Sequence, residues 1–150
     1  MERKTRVVKV DYDSKKLSNY FYINFTKLFA NLWEKKGVAI KKIEVLESRK
    51  GFHIRLTLNK DITVEESLLF ALMLYSDPIR EVYNYCRYLW DKDITFNFFA
   101  KRKMVFFGDG RVVLSRERVT KRSRKLKRKL IRIVMEIEQG KCSKYLGKYF

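Results

Sequence analysis

The sequence predicts an α+β fold with a single antiparallel sheet. Several short runs alternate apolar and polar residues, as strands with one buried face do, and runs with three- and four-residue apolar spacing separate them. The 150 residues are 46% hydrophobic, which is enough for one compact domain with its own core. The net charge of +18 therefore does not indicate a disordered chain.

The first strand is predicted at residues 6–12, where valines and Tyr12 alternate with polar residues. An amphipathic helix follows from Leu17, and Ser14 is the residue expected to cap it. Gly37 is expected to end the helix in a left-handed conformation.

A hairpin is predicted next, with strands at residues 38–48 and 52–59 joined by a tight turn at 49–51. Thr63 and Glu66 have the spacing of a capping box, and an apolar run follows them. A short helix is therefore expected to begin at this point.

Helices and strands are also predicted to alternate in the second half of the chain. Asp77 and Pro78 are expected to start a further helix, and residues 94–100 are predicted to form a strand. A hairpin is predicted at 103–115, followed by a long helix over 118–139.

The order of these elements is that of the ferredoxin-like βαββαβ core, with an added hairpin and a long basic C-terminal helix. In that arrangement the first and third strands lie side by side at the centre of the sheet. We therefore expect an α+β domain at residues 1–115, with a basic amphipathic helix and tail at 116–150.

The positive charge is concentrated in the C-terminal helix. Residues 116–132 contain ten basic side chains opposed only by Glu117, so this segment has a net charge of 10 − 1 = +9. Such a density is repulsive unless a polyanion neutralises it, and a phosphodiester backbone does so with release of counterions. Nucleic acid is the expected partner, ahead of an anionic membrane surface.

The same helix has a short heptad seam formed by Leu126, Leu130, Ile133 and Ile137. Two interpretations are open. The seam either docks on the domain core or pairs with the same helix of a second copy to form a homodimer.

Resemblances to known families rest on short motifs. Lys50-Gly51-Phe52 resembles the central-strand motif of the RNA-recognition motif, and its alternation directs His53 and Arg55 outward. Asp11 and Asp13, as an Asp-x-Asp after apolar residues, together with His53 resemble two motifs of archaeo-eukaryotic primases. That resemblance implies metal-dependent nucleotidyl transfer by Asp11, Asp13 and His53.

A further resemblance covers most of the chain. Gly51-Phe52-His53, Asp77-Pro78-x-Arg80 and Phe98-Phe99-x-Lys101, followed by the basic helix, resemble small archaeal single-stranded DNA-binding proteins of the ThermoDBP type. It implies a cationic cleft with stacking aromatics and a dimerising C-terminal helix. Tyr83, Tyr85 and Phe99 fall off the apolar stripes and are the candidate stacking residues.

The sequence thus predicts a non-enzymatic protein that binds single-stranded DNA or RNA with little sequence preference and needs no cofactor. A metal-dependent nucleotidyl-transfer or nuclease relative and a duplex-DNA-binding regulator are the alternatives. The absence of a signal-peptide or membrane-spanning run predicts an intracellular protein with no membrane partner. The predicted nucleic-acid-binding residues are Lys9, Lys50, His53, Arg55, Arg80, Phe99, Lys101, Arg102, Arg118, Lys121, Arg122, Arg124, Lys125, Arg128, Lys129 and Arg132.

Overall fold

A computed structural model describes residues 3–75, 85, 86, 89, 102–106 and 112–140, with side chains left out at 102–106 and 112–116. This part of the chain has an α+β fold with a three-stranded antiparallel sheet, a separate strand pair and three helices. The elements are β1 (Lys4–Tyr12), α1 (Asn19–Lys36), β2 (Ile40–Glu47), β3 (Phe52–Thr63), α2 (Val64–Met73), β4 (Arg102–Phe106), β5 (Val112–Arg116) and α3 (Lys121–Glu138).

The three-stranded sheet has the order β1-β3-β2, with β3 antiparallel to both neighbours. The predicted neighbours β1 and β3 are therefore paired. β4 and β5 form a separate antiparallel pair, in which Lys103 lies opposite Ser115. The strand predicted at 94–100, the turn at 108–110 and most of the helix predicted from Asp77 lie outside the described residues, and residues 85, 86 and 89 of that helix are helical.

The core lies on one face of the sheet, against α1 and α3, and Phe70 and Ala71 of α2 belong to it. Val10, Ile54 and Val45 lie across the three strands in register and are buried. Phe21 and Phe25 of α1 are fully buried, and their ring centroids are 6.0 Å apart. This aromatic stripe is the predicted apolar face of the first helix.

The ends of α1 confirm one sequence prediction and correct another. Gly37 ends the helix with φ of 64°, as predicted. The cap is Ser18 and not Ser14, because the Ser18 hydroxyl accepts a hydrogen bond from the Phe21 amide. The Ser14 hydroxyl instead donates to the Lys16 carbonyl, which stabilises a turn before the helix.

The apolar seam of α3 belongs to the same core. Leu126, Leu130, Ile133 and Ile137 are buried and form one cluster with the sheet and α1. Each fully buried side chain of this type contributes about 1.5–3 kcal/mol. The structure thus has the docked arrangement of the helix, and a homodimer through these four residues would require α3 to leave the core.

Gly51 has a packing role at the β2–β3 turn. A Cβ added there would lie 1.9 Å from the Tyr12 carbonyl oxygen and 2.6 Å from the Ser14 amide nitrogen. Only glycine permits this approach of two backbones. The glycine of the Gly-Phe-His motif is therefore required by the contact between the turn and the end of β1.

Candidate nucleic-acid interface

Glu47, at the end of β2, holds the segment that leads into α3. Its backbone exchanges two hydrogen bonds with Arg118, at 2.8 and 3.1 Å. Its carboxylate accepts hydrogen bonds from the Thr120 hydroxyl at 2.6 Å and from the Lys15 ammonium at 2.8 Å, and Arg122 lies 3.7 Å away. The hydrogen bond from Lys15, followed by that from Thr120, holds the pKa of Glu47 below the usual glutamate value.

Thr120 also caps α3. Its hydroxyl oxygen accepts a hydrogen bond from the Ser123 amide at 3.1 Å, and the Ser123 hydroxyl accepts one from the Thr120 amide at 2.7 Å. Glu47 is thus connected through the cap residue to the first turn of the basic helix.

His53 forms a second connection between the sheet and this segment. Its Nε2 lies 3.0 Å from Asp11 Oδ1, on the strand directly opposite, and its Nδ1 contacts the Glu117 carboxylate. All three side chains are largely buried, with 3% of the His53 side chain exposed, 14% of Asp11 and 6% of Glu117. His53 therefore connects β1 to the segment before α3.

This position changes the interpretation of the primase-like residues. His53 was expected on the surface, but β1 and the Glu117 segment cover it. Asp13 lies beyond the end of β1 and is exposed, whereas Asp11 is paired with His53. No three His, Cys, Asp or Glu side chains form a metal-ligand group within the described part of the chain.

The exposed surface of α3 is almost entirely basic from Lys121 to Arg132, where Ile131 is its exposed apolar side chain. Its buried stripe is narrow, and the cations lie on both flanks and on the side opposite the core. Every predicted binding residue of this segment is exposed, as is Lys127: Arg118, Lys121, Arg122, Arg124, Lys125, Lys127, Arg128, Lys129 and Arg132.

Few of these charges are compensated by the protein. Lys129 lies over the ring of Tyr22 on α1, with its nitrogen 3.8 Å from the ring centroid. Arg122 is near Glu47, as described above. The remaining α3 cations have no carboxylate within 4 Å among the residues that the structure describes.

The helix dipole adds to this positive field. The first turn of α3 contains no acidic residue and contains Lys121 and Arg122. Cations near a helix N-terminus are unfavourable by about 0.3–1 kcal/mol each, because the partial charge there is also positive. A bound anion relieves both repulsions.

A second basic surface lies on the sheet face that is turned away from the core. Arg55, on the central strand, is exposed, and Lys9 lies opposite it on β1 and is half-buried. On the other side of Arg55 lies Glu44 of β2. Lys50 is exposed in the β2–β3 turn.

The aromatic residues predicted to stack on bases are mostly not described. Arg80, Tyr83, Phe99 and Lys101 lie outside the described residues, and Arg102 lies on β4 without a described side chain.

Among the described aromatics, the predicted Tyr85 is 44% exposed. Tyr20 and Tyr75, which the sequence did not single out, are 69% and 48% exposed. The Tyr75 hydroxyl accepts a hydrogen bond from the side-chain amide of Asn24 at 3.1 Å, which links the end of α2 to α1.

Sequence reasoning missed the acidic residues that organise this region. Glu47 and Glu117 hold the entry to α3, and Glu44 lies among its cations and those of the sheet. The available signal was the presence of Glu117 as the one acid in a run of ten basic residues.

Comparison with protein-family models, curated proteins and solved structures gives no match for this chain. In the described part of the chain, no helix has the length and apolar character needed to cross a bilayer.

Proposed function

We propose that this protein binds single-stranded DNA or RNA without enzymatic action and with little sequence preference. The observation that carries the proposal is the exposed cationic surface of α3, which is docked through a buried apolar seam and has few carboxylate partners among the described residues. A docked helix presents its charges without first having to fold, so the ordering cost of binding is low.

Phosphate is the group that this surface fits. Each Lys or Arg that neutralises a phosphate releases condensed counterions, and this release supplies most of the affinity in sequence-independent binding. Exposed tyrosines such as Tyr20 and Tyr75 support a single-stranded ligand, because a base stacked on an aromatic ring contributes about 1–3 kcal/mol.

The fold we propose for the whole chain is ferredoxin-like. The order β1-β3-β2, with β3 antiparallel to both neighbours, is the three-stranded part of that arrangement. The strand predicted at residues 94–100 would then pair with β1, and β4 and β5 would form the added hairpin.

The test compares the loss of three positive charges from α3 with the loss of three positive charges from other parts of the surface. One variant replaces Lys121, Lys125 and Arg128 with Gln, and a control variant replaces the exposed Lys16, Lys35 and Lys41 with Gln. Both lower the net charge by the same amount. Binding is measured by fluorescence anisotropy with labelled single-stranded DNA, single-stranded RNA and duplex DNA at two salt concentrations.

We expect the α3 variant to bind single strands more weakly and to lose about two units of the slope of log K against log salt, since each contact to a single strand contributes about 0.7. The control variant should keep most of the slope. Equal losses in the two variants would contradict the assignment of α3. A strong preference for one duplex sequence would identify a duplex-binding regulator instead.

A further inference from the structure

Glu44 is surrounded by cations from three elements. Its carboxylate is 2.8 Å from the ammonium of Lys42 on the same strand. Arg55 of β3 lies directly opposite in the sheet register, and α3 packs against β2. Glu44 is therefore at the boundary between the basic surface of α3 and the basic surface of the sheet.

Electrostatics supports this placement. The hydrogen bond from Lys42 is the main reason why the pKa of Glu44 lies below the usual glutamate value. The charges of Lys42, Arg55 and Lys127 lower it further, while partial burial opposes them. Arg55 is the register partner of Glu44, and α3, which carries Lys127, packs against β2, so both cations lie on elements that adjoin this carboxylate.

The surface around Glu44 is open to solvent. The Glu44 side chain is 39% exposed, and Arg55 and Lys127 are both exposed. Lys9, opposite Arg55 on β1, extends the line of cations across the sheet. Glu44 thus lies at a position where the neighbouring cations would also bind a phosphate.

We propose that a phosphate of the bound nucleic acid takes the position between Arg55 and Lys127, in competition with the Glu44 carboxylate. The strand then passes from α3 across β2 onto the outer face of the sheet. This inference rests on the proposed function. It assigns to Glu44 the role of an internal counter-anion that weakens binding.

The test is the substitution Glu44→Gln, which keeps an oxygen that accepts the hydrogen bond from Lys42 and removes the charge. The matched control is Glu138→Gln, since Glu138 is an exposed carboxylate in the last turn of α3 and its loss changes the net charge equally. The probe is a labelled oligothymidylate of about 16 nucleotides, the upper end of the site size of a single small binding domain.

We expect Glu44→Gln to bind the probe roughly two- to fivefold more tightly than the wild-type protein at low salt, the range of one exposed charge pair. Glu138→Gln should change the affinity by much less. When Arg55 and Lys127 are both replaced by Gln, the gain from Glu44→Gln should disappear, because the phosphate then has no cations to contact.

Two outcomes would overturn the inference. Either Glu44→Gln and Glu138→Gln increase the affinity equally, or the gain persists without Arg55 and Lys127. Thermal melting of each variant checks that the fold is unchanged. The proposed function is judged separately, because it fails if the wild-type protein and the α3 triple variant bind the probe alike.

Discussion

His53 lies between two carboxylates from distant parts of the chain. Asp11 comes from β1 and Glu117 from the segment before α3. Two residues further along the same face of the sheet, Lys9 of β1 and Glu44 of β2 lie on either side of Arg55. The buried imidazole thus links β1 to the segment that leads into the basic helix.

We expect His53→Ala to lower the free energy of unfolding by about 3–5 kcal/mol at neutral pH, because it leaves two buried carboxylates without their partner. Chemical denaturation measures this loss, and Lys50→Ala in the exposed turn is the control. A change within about 0.5 kcal/mol, the range of surface substitutions, would contradict the buried role. If His53 contacted the ligand directly, His53→Asn would instead reduce affinity without a loss of stability.

Sequence reasoning identified the residue types of this site but not their arrangement. Asp11 and His53 were selected from motifs, and the sheet register does bring them together. Glu117 is 117 − 53 = 64 positions from His53 and was interpreted only as an opposing charge in a basic run. A contact across such a distance depends on the path of the whole chain, which local patterns do not contain.

At the scale of elements, the sequence was sufficient to predict helix ends that depend only on a few neighbouring residues. The capping box of Thr63 and Glu66 starts α2 as predicted, and Gly37 ends α1. The start of α3 at Lys121 has a local cap as well, formed by Thr120 and Ser123, and depends in addition on the hydrogen bond from Thr120 to Glu47, on a strand far earlier in the chain. That dependence makes the first turn of α3 sensitive to the ionisation of Glu47.

The pH dependence follows from the sign of the shift. The pKa of Glu47 is lower in the folded protein than its ordinary value of 4.5, so its carboxylate stabilises the fold at neutral pH. This contribution is lost as the pH falls below about 4.5 and through the folded pKa. We expect Glu47→Gln to lower the melting temperature at pH 7, with a smaller difference from wild type at about pH 3.

Thermal melts of the two proteins at both pH values measure this difference. Glu65→Gln serves as the control, since Glu65 is an exposed glutamate on α2. A difference between wild type and Glu47→Gln that stays constant with pH would show that the hydrogen bonds of Glu47 do not depend on its charge.

At the scale of the whole molecule, one core supports both the sheet and the basic surface. Leu130 and Ile133 of α3 are fully buried with Val8, Val10 and Ile54 of the sheet. Removal of the chain after residue 115 would therefore expose the core and would test folding more than binding. The two interpretations of the seam could not be separated from the sequence, because a heptad pattern has the same spacing in a docked helix and in a coiled coil.

The docking of α3 has a consequence for how the protein responds to electrolyte. Docking of α3 on the core keeps its cations close together, and they repel one another. Salt ions that screen this repulsion should therefore stabilise the folded chain. The same ions compete with phosphate contacts and weaken binding. Raising sodium chloride from about 50 to 200 mM should therefore raise the melting temperature while the affinity for a single strand falls.

Scanning fluorimetry and anisotropy under identical conditions measure both effects. The variant with Lys121, Lys125 and Arg128 replaced by Gln should show a smaller response in each. A melting temperature that falls with salt would mean that the charges of α3 are compensated within the fold. The two opposite responses have a single origin in the density of cations on α3, since salt screens their mutual repulsion and also weakens their contacts with phosphate.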